Sequence, residues 1–383
     1  MNDHINNNAN KKIIIIGAGP IGCYTASLLA KKGYDVEVYE EHSEIGKPVS
    51  CTGLVTRSIL KLPGLREIIE KSLVNKIKYA EINAGRQKVN LKIDDYIIDR
   101  ARFDKELAKN AVKNGAKIYL GFRFIDIRAG MLILRNTKTA KIKNLSTASL
   151  KCVIGADGPD STIAKKLNPE KKRRYYIGKQ VLAAGEFDSE AFKVYLGEVC
   201  PKFFAWIVPE DKKRARIGVA ALRNPNQCLD RFISQLKDEG YNLNIKEIQA
   251  GLIPIYDADY RTTGRISNVR CYVIGDAAGH VKATTGGGII PWLRYVKALV
   301  DCIASGKKYE PKNVEKELKT HLFVRKILNR FLQKDYEDAI TMVRKQRIKN
   351  IFSEGDRDSV IKLLPRLIIA EPRLLKFGLK IMF

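Results

Sequence analysis

The chain is 383 residues long, enough for a large core and more than one domain. With 45% hydrophobic and 29% charged residues, it has the composition of an ordinary soluble globular protein. The 69 Lys and Arg against 42 Asp and Glu give a net charge of +27, which favours anionic partners (nucleic acid, an anionic membrane, phosphorylated substrates) but also fits plain solubility or compositional bias.

Met1 to Asn10 is polar and Asn-rich with no apolar signal core, so 1–11 is expected to be a disordered tail on a cytoplasmic protein. Next come four isoleucines, Ile13 to Ile16, as in a strand buried on both faces. Gly17, Gly19 and Gly22 follow at the G-x-G-x-x-G spacing. Gly17 allows the turn off the strand, Gly19 lets backbone approach a pyrophosphate, and Gly22 lets a helix pack on the sheet. That helix, from Ile21 to Lys32, directs its positive end at the phosphates. A second strand carries Val36 and Val38 and ends at Glu40, about twenty residues on, where an acid hydrogen-bonds a ribose. Glu40 also disfavours a 2′-phosphate, so NADP is not expected at this site. Ile13 to Ala30 is uncharged and long enough to span a membrane, but its glycines and proline argue against that.

Glu41 to Arg57 reads as a loop, Leu65 to Leu73 as a helix, and Lys76 to Ile98 as a hairpin turning at Ala84-Gly85. Arg102 to Asn114 has helical spacing, Lys117 to Ile127 reads as one strand, and Met131 to Leu145 as a hairpin. Lys151 to Ile154 is a short buried strand. Gly178 to Leu222 is strand-like, Asn226 to Glu239 helical, and Val269 to Ile274 another buried strand. After Gly286 the pattern is mostly helical. The dinucleotide fold is therefore discontinuous, with pieces at 12–75, 98–165 and 268–305. Sheet-rich segments at 76–97 and 166–267 are inserted, and a helical region occupies 306–383. The seven cysteines form no C-x-x-C pair, which argues against structural zinc and for a reducing compartment.

Four separated motifs, Gly17 to Gly22 with Glu40, Pro48-Val49-Ser50-Cys51-Thr52-Gly53, Asp99 to Asp104, and Gly275 to Gly279 with Thr285 to Ile289, together resemble the geranylgeranyl reductase family of p-hydroxybenzoate-hydroxylase-like FAD enzymes, most like archaeal digeranylgeranylglycerophospholipid reductases. The resemblance covers about residues 12–305. It implies an α/β fold (α+β overall): a Rossmann-type FAD-binding domain, an inserted antiparallel-sheet substrate domain and a helical C-terminal region. In the first motif it implies that Glu40 holds the adenosine ribose of FAD. The second, Pro48 to Gly53, is similar to a P-x-x-C-x-G signature beside the flavin. There the backbone of Cys51, Thr52 and Gly53 would touch flavin and Cys51 would line the alkene pocket, the plain alternative being a small buried cysteine. The third, Asp99-Arg100-Ala101-Arg102-Phe103-Asp104, resembles D-R-x-x-F-D. Asp99 is a candidate N-cap, and Arg100 would reach the cofactor or else make only an ion pair. The resemblance implies an adenine contact from the Phe124 backbone. Asp157, in Gly155-Ala156-Asp157-Gly158, would lie on a cofactor-side loop or simply leave a strand.

The fourth motif is Gly275-Asp276-Ala277-Ala278-Gly279 with Thr285-Gly286-Gly287-Gly288-Ile289. Asp276 would bond the ribityl chain, and the amides at Gly288 and Ile289 would face the flavin pyrimidine. Trp292 departs from the small residue expected there. Phe204-Ala205-Trp206-Ile207-Val208-Pro209 resembles Y-x-W-x-F-P; on a strand Phe204, Trp206 and Val208 share one face, which would wall an apolar tunnel or belong to sheet core, and the resemblance adds Pro209 to the substrate residues. The resemblance implies hydride transfer from reduced FAD to isolated double bonds of a prenyl lipid or prenyl diphosphate. The sequence does not name the electron donor, NAD(P)H and a ferredoxin both being open, and the protein would sit at the inner face of the cell membrane. On the C-terminal segment, Arg373, Lys376 and Lys380 form a basic helical stripe, with Leu374, Leu375, Gly378, Leu379 and Met382 opposite, as for a membrane-surface helix or a packed terminal one. The alternative function is an FAD monooxygenase or halogenase of the same fold. A nucleic-acid-binding protein is disfavoured by the lack of a helix-turn-helix, zinc-finger or RNP-like motif.

Overall fold

The computed structural model describes residues 11–309 and 312–381. A six-stranded sheet has the order Thr263–Ile266, Val269–Val273, Leu150–Gly155, Lys12–Ile16, Asp35–Glu40, Lys117–Leu120. Its last five strands are mutually parallel, and Ile13, Ile14 and Ile15 at the centre are fully buried. This is the Rossmann arrangement: a β-branched run is stable here because both faces are buried, in one core shared with the helix Pro20–Lys31 and with the strands Phe122–Arg128 and Met131–Asn136. The stretch Ile13 to Ala30 is strand, turn and the helix Pro20–Lys31, not a span. No helix among the described residues is long and apolar enough to cross a membrane.

The eight-stranded second sheet runs Asn244–Pro254, Tyr175–Ala184, Arg214–Ala221, Phe204–Pro209, Ala191–Leu196, Leu73–Ala84, Gln87–Ile98, Leu54–Thr56. It is antiparallel except where Ala191–Leu196 runs parallel to Leu73–Ala84. Apolar residues of the helix Pro225–Asp238, among them Leu229 and Phe232, join one core with Val181, Ile217 and Val219 of this sheet. The helices Lys312–Leu328, Gln333–Val343, Gln346–Glu354 and Val360–Ala370 make up most of the C-terminal region.

Three expectations are corrected. The single strand at 117–127 is two strands in different sheets, because Gly121 breaks it with φ 75°. Its second half, Phe122–Arg128, forms a three-stranded sheet with Met131–Asn136 and Ile142–Ser146. The cofactor sheet reaches back to Thr263 rather than starting at 268: Ser267 and Asn268, at φ 43° and 69°, close a tight hairpin onto Val269. Conversely, Leu54–Thr56 pairs with Gln87–Ile98 in the eight-stranded sheet.

The C-terminal stripe is also not one helix. Pro372–Leu374, Leu375–Gly378 and Leu379–Ile381 are successive short turns. Their cations face the protein's own acids: Arg373 pairs with Glu371, Lys376 with Asp338 and Lys380 with Asp335. The expected tail up to Asn10, and Met382 of the stripe, lie outside the described residues.

Candidate active site

The glycine loop is held by contacts that leave one side open. Gly17 donates to the Tyr39 carbonyl at 2.8 Å, joining the loop to the second strand. A Cβ at Gly17 would lie 2.3 Å from the Ala156 carbonyl oxygen, and one at Gly22 would lie 2.0 Å from that of Gly17. Both must be glycine for packing. A Cβ at Gly19 would meet nothing within 4 Å, so that backbone faces open space in front of the Pro20–Lys31 helix. Glu40 closes the loop: one carboxylate oxygen accepts from Ala18 N–H at 2.7 Å and the other from His42 N–H at 3.0 Å, with His42 Nδ1 2.6 Å away.

Residues 48–53 are pinned at both ends. Ile98 N–H donates to Gly53 O at 3.0 Å, and a Cβ at Gly53 would sit 2.2 Å from Ile98 O. Ser50 lies against Gly251, where a Cβ would be 2.9 Å from that of Ser50. This loop therefore touches two strands of the second sheet, Gln87–Ile98 and Asn244–Pro254. The half-buried Cys51 thiol lies beside the Arg100 guanidinium and accepts from Gly53 N–H at 3.5 Å, and the Thr52 hydroxyl accepts from Leu54 N–H at 3.3 Å. Asp99 caps the helix through Arg102 N–H at 3.0 Å. Arg100 is gripped by Asp104 at 3.2 and 3.0 Å, and its charge is felt at Asp276. Arg100 thus makes the ion pair and also lies between Cys51 and Asp276 electrostatically.

Asp276 leaves the strand Val269–Val273, with Gly275 packed 3.6 Å from Ile21 where its Cβ would be. Burial pushes its carboxyl up to about 6, against the opposing pull of Arg100 and Arg173. Arg173 carried no signal within the basic run 171–174. It donates to the carbonyls of Asp276 and Ala277 at 2.9 and 2.7 Å and stacks 3.9 Å over Tyr260, so it fixes the turn that presents Asp276. Gly288 begins the helix Ile289–Ser305, with Asp276 on one flank and Trp292 on the other. The volume expected to be small is filled by the Trp292 indole stacked on His280, ring centres 4.8 Å apart.

Asp157 accepts from Thr162 N–H at 2.9 Å, starting a short helix, while its other oxygen is buried without a partner. Burial raises its pKa, and the Ser161 hydroxyl and helix amides oppose the rise. Its loop abuts Gly17. Phe124 buries its side chain in the core, so a cofactor contact there falls to its backbone, next to a bulge before Asp126.

On the second sheet, Trp206 pairs in register with Gly218, Gly218 with Gln180, and Gln180 with Gln249. Residues paired across strands share a face. The neighbouring row is Phe204, Ala220, Gly178 and Gly251, which ends over Ser50. Phe204 stacks on Phe203 at 4.5 Å and meets Trp206 edge-on at 5.9 Å. Gln180 donates to Gln249 at 2.7 Å, and Arg216 donates to the same oxygen at 2.8 Å. The indole nitrogen of Trp206 and the side-chain oxygen of Gln180 are buried without partners. Pro209 lies at the far end of its strand, where its carbonyl accepts from Asn75 at 3.0 Å. Phe204 and Trp206 are thus brought together at one end of rows whose other end, at Gly251, meets Ser50 of the Cys51 loop, and Pro209 is set apart from them along the strand.

The residues present fit FAD. An open glycine loop before a helix N-terminus suits a pyrophosphate, and a carboxylate and a second helix N-terminus stand beyond it, by the second sheet. The fold and site define an FAD-binding flavoprotein. An FAD binding domain family matches residues 10–289. A digeranylgeranylglycerophospholipid reductase of Methanosarcina acetivorans is 30% identical, over 73% of this chain and 71% of its own. That of Methanococcus vannielii is 26% identical over 92% and 90%. Among solved structures, a geranylgeranyl bacteriochlorophyll reductase-like protein of Thermoplasma acidophilum matches with TM-score 0.78 at 20% identity, covering 97% of this chain and 99% of its own. A myxobacterial FAD-dependent halogenase matches with TM-score 0.62 at 13% identity over 94% and 96%, a likeness of fold alone. The chain belongs to the geranylgeranyl reductase family of FAD-dependent oxidoreductases.

Proposed function

We propose that the protein saturates isolated carbon–carbon double bonds in the geranylgeranyl chains of archaeal-type membrane lipids or their diphosphate precursors. The observation that carries this reading is the row Phe204, Ala220, Gly178, Gly251. It is low in side-chain bulk, apolar throughout, and ends at Ser50 beside Cys51. A slot of that kind suits a thin hydrocarbon chain led to the loop beside the cofactor. The relatives' names support the same substrate class.

An unactivated alkene needs a hydride on one carbon and a proton on the other. Reduced FAD supplies the hydride when bound. The chain's own residues do the rest. Gly17 to Gly22, Glu40, Arg100 and Asp276 hold the cofactor, with Asp157 and the Phe124 backbone beside it. Cys51 to Gly53 and the amides at Gly288 and Ile289 border the reacting end. Phe204 and Trp206 position the chain and exclude water, while Pro209 ends their strand. Burial of prenyl carbons contributes about 0.8 kcal/mol per methylene toward positioning. Cys51 is a candidate proton source at the slot. Electrons arrive from NAD(P)H or from a reduced ferredoxin.

The protein docks at the cytoplasmic face of the membrane through its C-terminal region, where Leu375 and Leu379 are each 56% exposed. The test is anaerobic: a geranylgeranyl lipid added to the reduced holoprotein restores the yellow of oxidised flavin and yields a saturated chain. A second reading, an FAD monooxygenase, draws on the polar row Gln180, Gln249 and Arg216 beside Trp206. It requires oxygen-dependent NAD(P)H consumption with an aromatic substrate. No alkene turnover with any prenyl lipid rejects the first reading.

A further inference from the structure

The helix Ile289–Ser305 begins at the cofactor cleft with an incomplete set of donors. The first turn of a helix offers unpaired N–H groups, but Pro291, at its third position, has none. The amide of Trp292 is already spent on the Gly288 carbonyl at 3.1 Å. The side chain of the same Trp292 returns over this turn. It is only 2% exposed, and its indole nitrogen has no hydrogen-bond partner. A buried N–H without an acceptor is unfavourable, so a ligand that supplies one is favoured.

Position says which ligand. A Cβ at Gly288 would lie 2.9 Å from Trp292 Nε1 and 3.1 Å from Asp276 Oδ1. Indole N–H and carboxylate therefore flank one glycine at the mouth of the helix, where a side chain would fill the gap between them. Stacking on His280, with the rings 6° from parallel, holds the indole in that orientation. Burial and the nearby Arg173 charge push His280 down to about 3, so it stays a neutral stacking partner. The loop itself reaches the second sheet, since a Cβ at Gly286 would lie 3.4 Å from the Phe203 ring.

We propose that the Trp292 indole N–H is a cofactor-holding donor to an oxygen at the ribityl–isoalloxazine end of FAD, taking the place of the amide that Pro291 removes. This rests on FAD occupying the cleft. The test compares apoprotein of the parent and W292F, which keeps an aromatic ring on His280 but loses the N–H. FAD and riboflavin bind W292F about tenfold more weakly, while ADP, which lacks the flavin end, binds both equally. The melting of apo-W292F falls by what the smaller ring leaves unfilled and not by a lost hydrogen bond, because the donor has no protein partner to lose.

A second readout needs no change at 292. Trp206 and Trp292 are the two tryptophans, so W206F leaves one indole N–H resonance. That resonance shifts downfield and exchanges more slowly with solvent when FAD is added. Equal FAD affinity in parent and W292F, equal loss of ADP and FAD, or an indole resonance indifferent to FAD would each overturn the proposal. A parent that takes up no FAD at all removes the cofactor reading itself, a different failure from a parent that binds FAD with an unmoved indole.

Discussion

The two sheets solve opposite problems. The six-stranded sheet presents its ligand groups at the ends of strands, each on a short contiguous motif. The eight-stranded sheet presents its groups across strands: Trp206, Gly218, Gln180 and Gln249 come from four segments and meet only through register. End-on sites tolerate drift in the sheet behind them. Cross-strand sites do not, since a slip of one residue turns the whole row to the other face. The cofactor end should therefore respond to loss of single polar atoms, and the substrate wall to changes in shape.

The largest effect is expected where the two regions are joined. Lys282, just past the Asp276 turn, pairs with the buried Asp358 at 2.8 Å. Asp358 also accepts from Thr56 and Ser58, both at 2.5 Å, which tie in the edge of the second sheet. These donors hold its carboxyl well below the usual range despite burial. D358A strands a buried lysine and should cost about 3–5 kcal/mol of unfolding free energy. Urea denaturation of the apoprotein measures it. A loss confined to the C-terminal helices, with the rest unfolding as in the parent, would show that the regions are not one cooperative unit.

Next is the polar atom at the cofactor end. D276N should weaken FAD binding about 10- to 100-fold by removing a charged acceptor. The pH dependence has a definite sign. Without cofactor, Asp276 titrates at about 6 instead of 3.8. The folded state therefore holds a proton that the unfolded state releases, so this group's contribution to stability is greatest below 3.8 and declines as pH rises to about 6. Hydroxyl donors of FAD favour the ionised carboxylate, so affinity should rise from pH 5 to 7 in the parent and stay flat in D276N. Fluorescence titration at the two pH values decides it.

The shape test is G218A. Its Cβ would lie 2.6 Å from both the Gln180 Cβ and the Trp206 ring, and the indole must move. Turnover should fall about tenfold with FAD affinity unchanged. Equal loss of both would erase the division between the two regions.

That division also explains what could be read from the chain. Gly17 to Gly22, Glu40, Pro48 to Gly53, Arg100 and Asp276 are short strings whose spacing carries their geometry: Glu40 bonds the glycine loop, Cys51 lies beside Arg100, and the Arg100 charge is felt at Asp276. Gln180, Gln249 and the Gly251–Ser50 contact had no such string, because register and not spacing brings them together. The two-strand split at Gly121 was hidden by an unbroken apolar alternation. Trp292 was visible only as a residue too large for its place. At the C-terminus, periodicity suggested a stripe of free cations, but periodicity does not reveal the acids on another helix.

Those acids decide the smallest prediction. With Lys376 and Lys380 turned to Asp338 and Asp335, the basic side is largely neutralised within the protein. Beside these ion pairs, Leu375 and Leu379 on the terminal turns are exposed apolar groups without such partners. If this surface brings the slot beside Trp206 to its lipid, docking should depend on grease more than charge. Half-burying a leucine in the acyl boundary contributes about 1 kcal/mol. L375S and L379S should each lower partition onto vesicles of neutral ether lipid about fivefold. Raising salt, which screens exposed charges beyond about 10 Å at 0.1 M, should change that partition little. A partition that collapses in salt and ignores both leucines would place docking elsewhere on this cationic surface, and the substrate wall would lose its proposed route to the membrane.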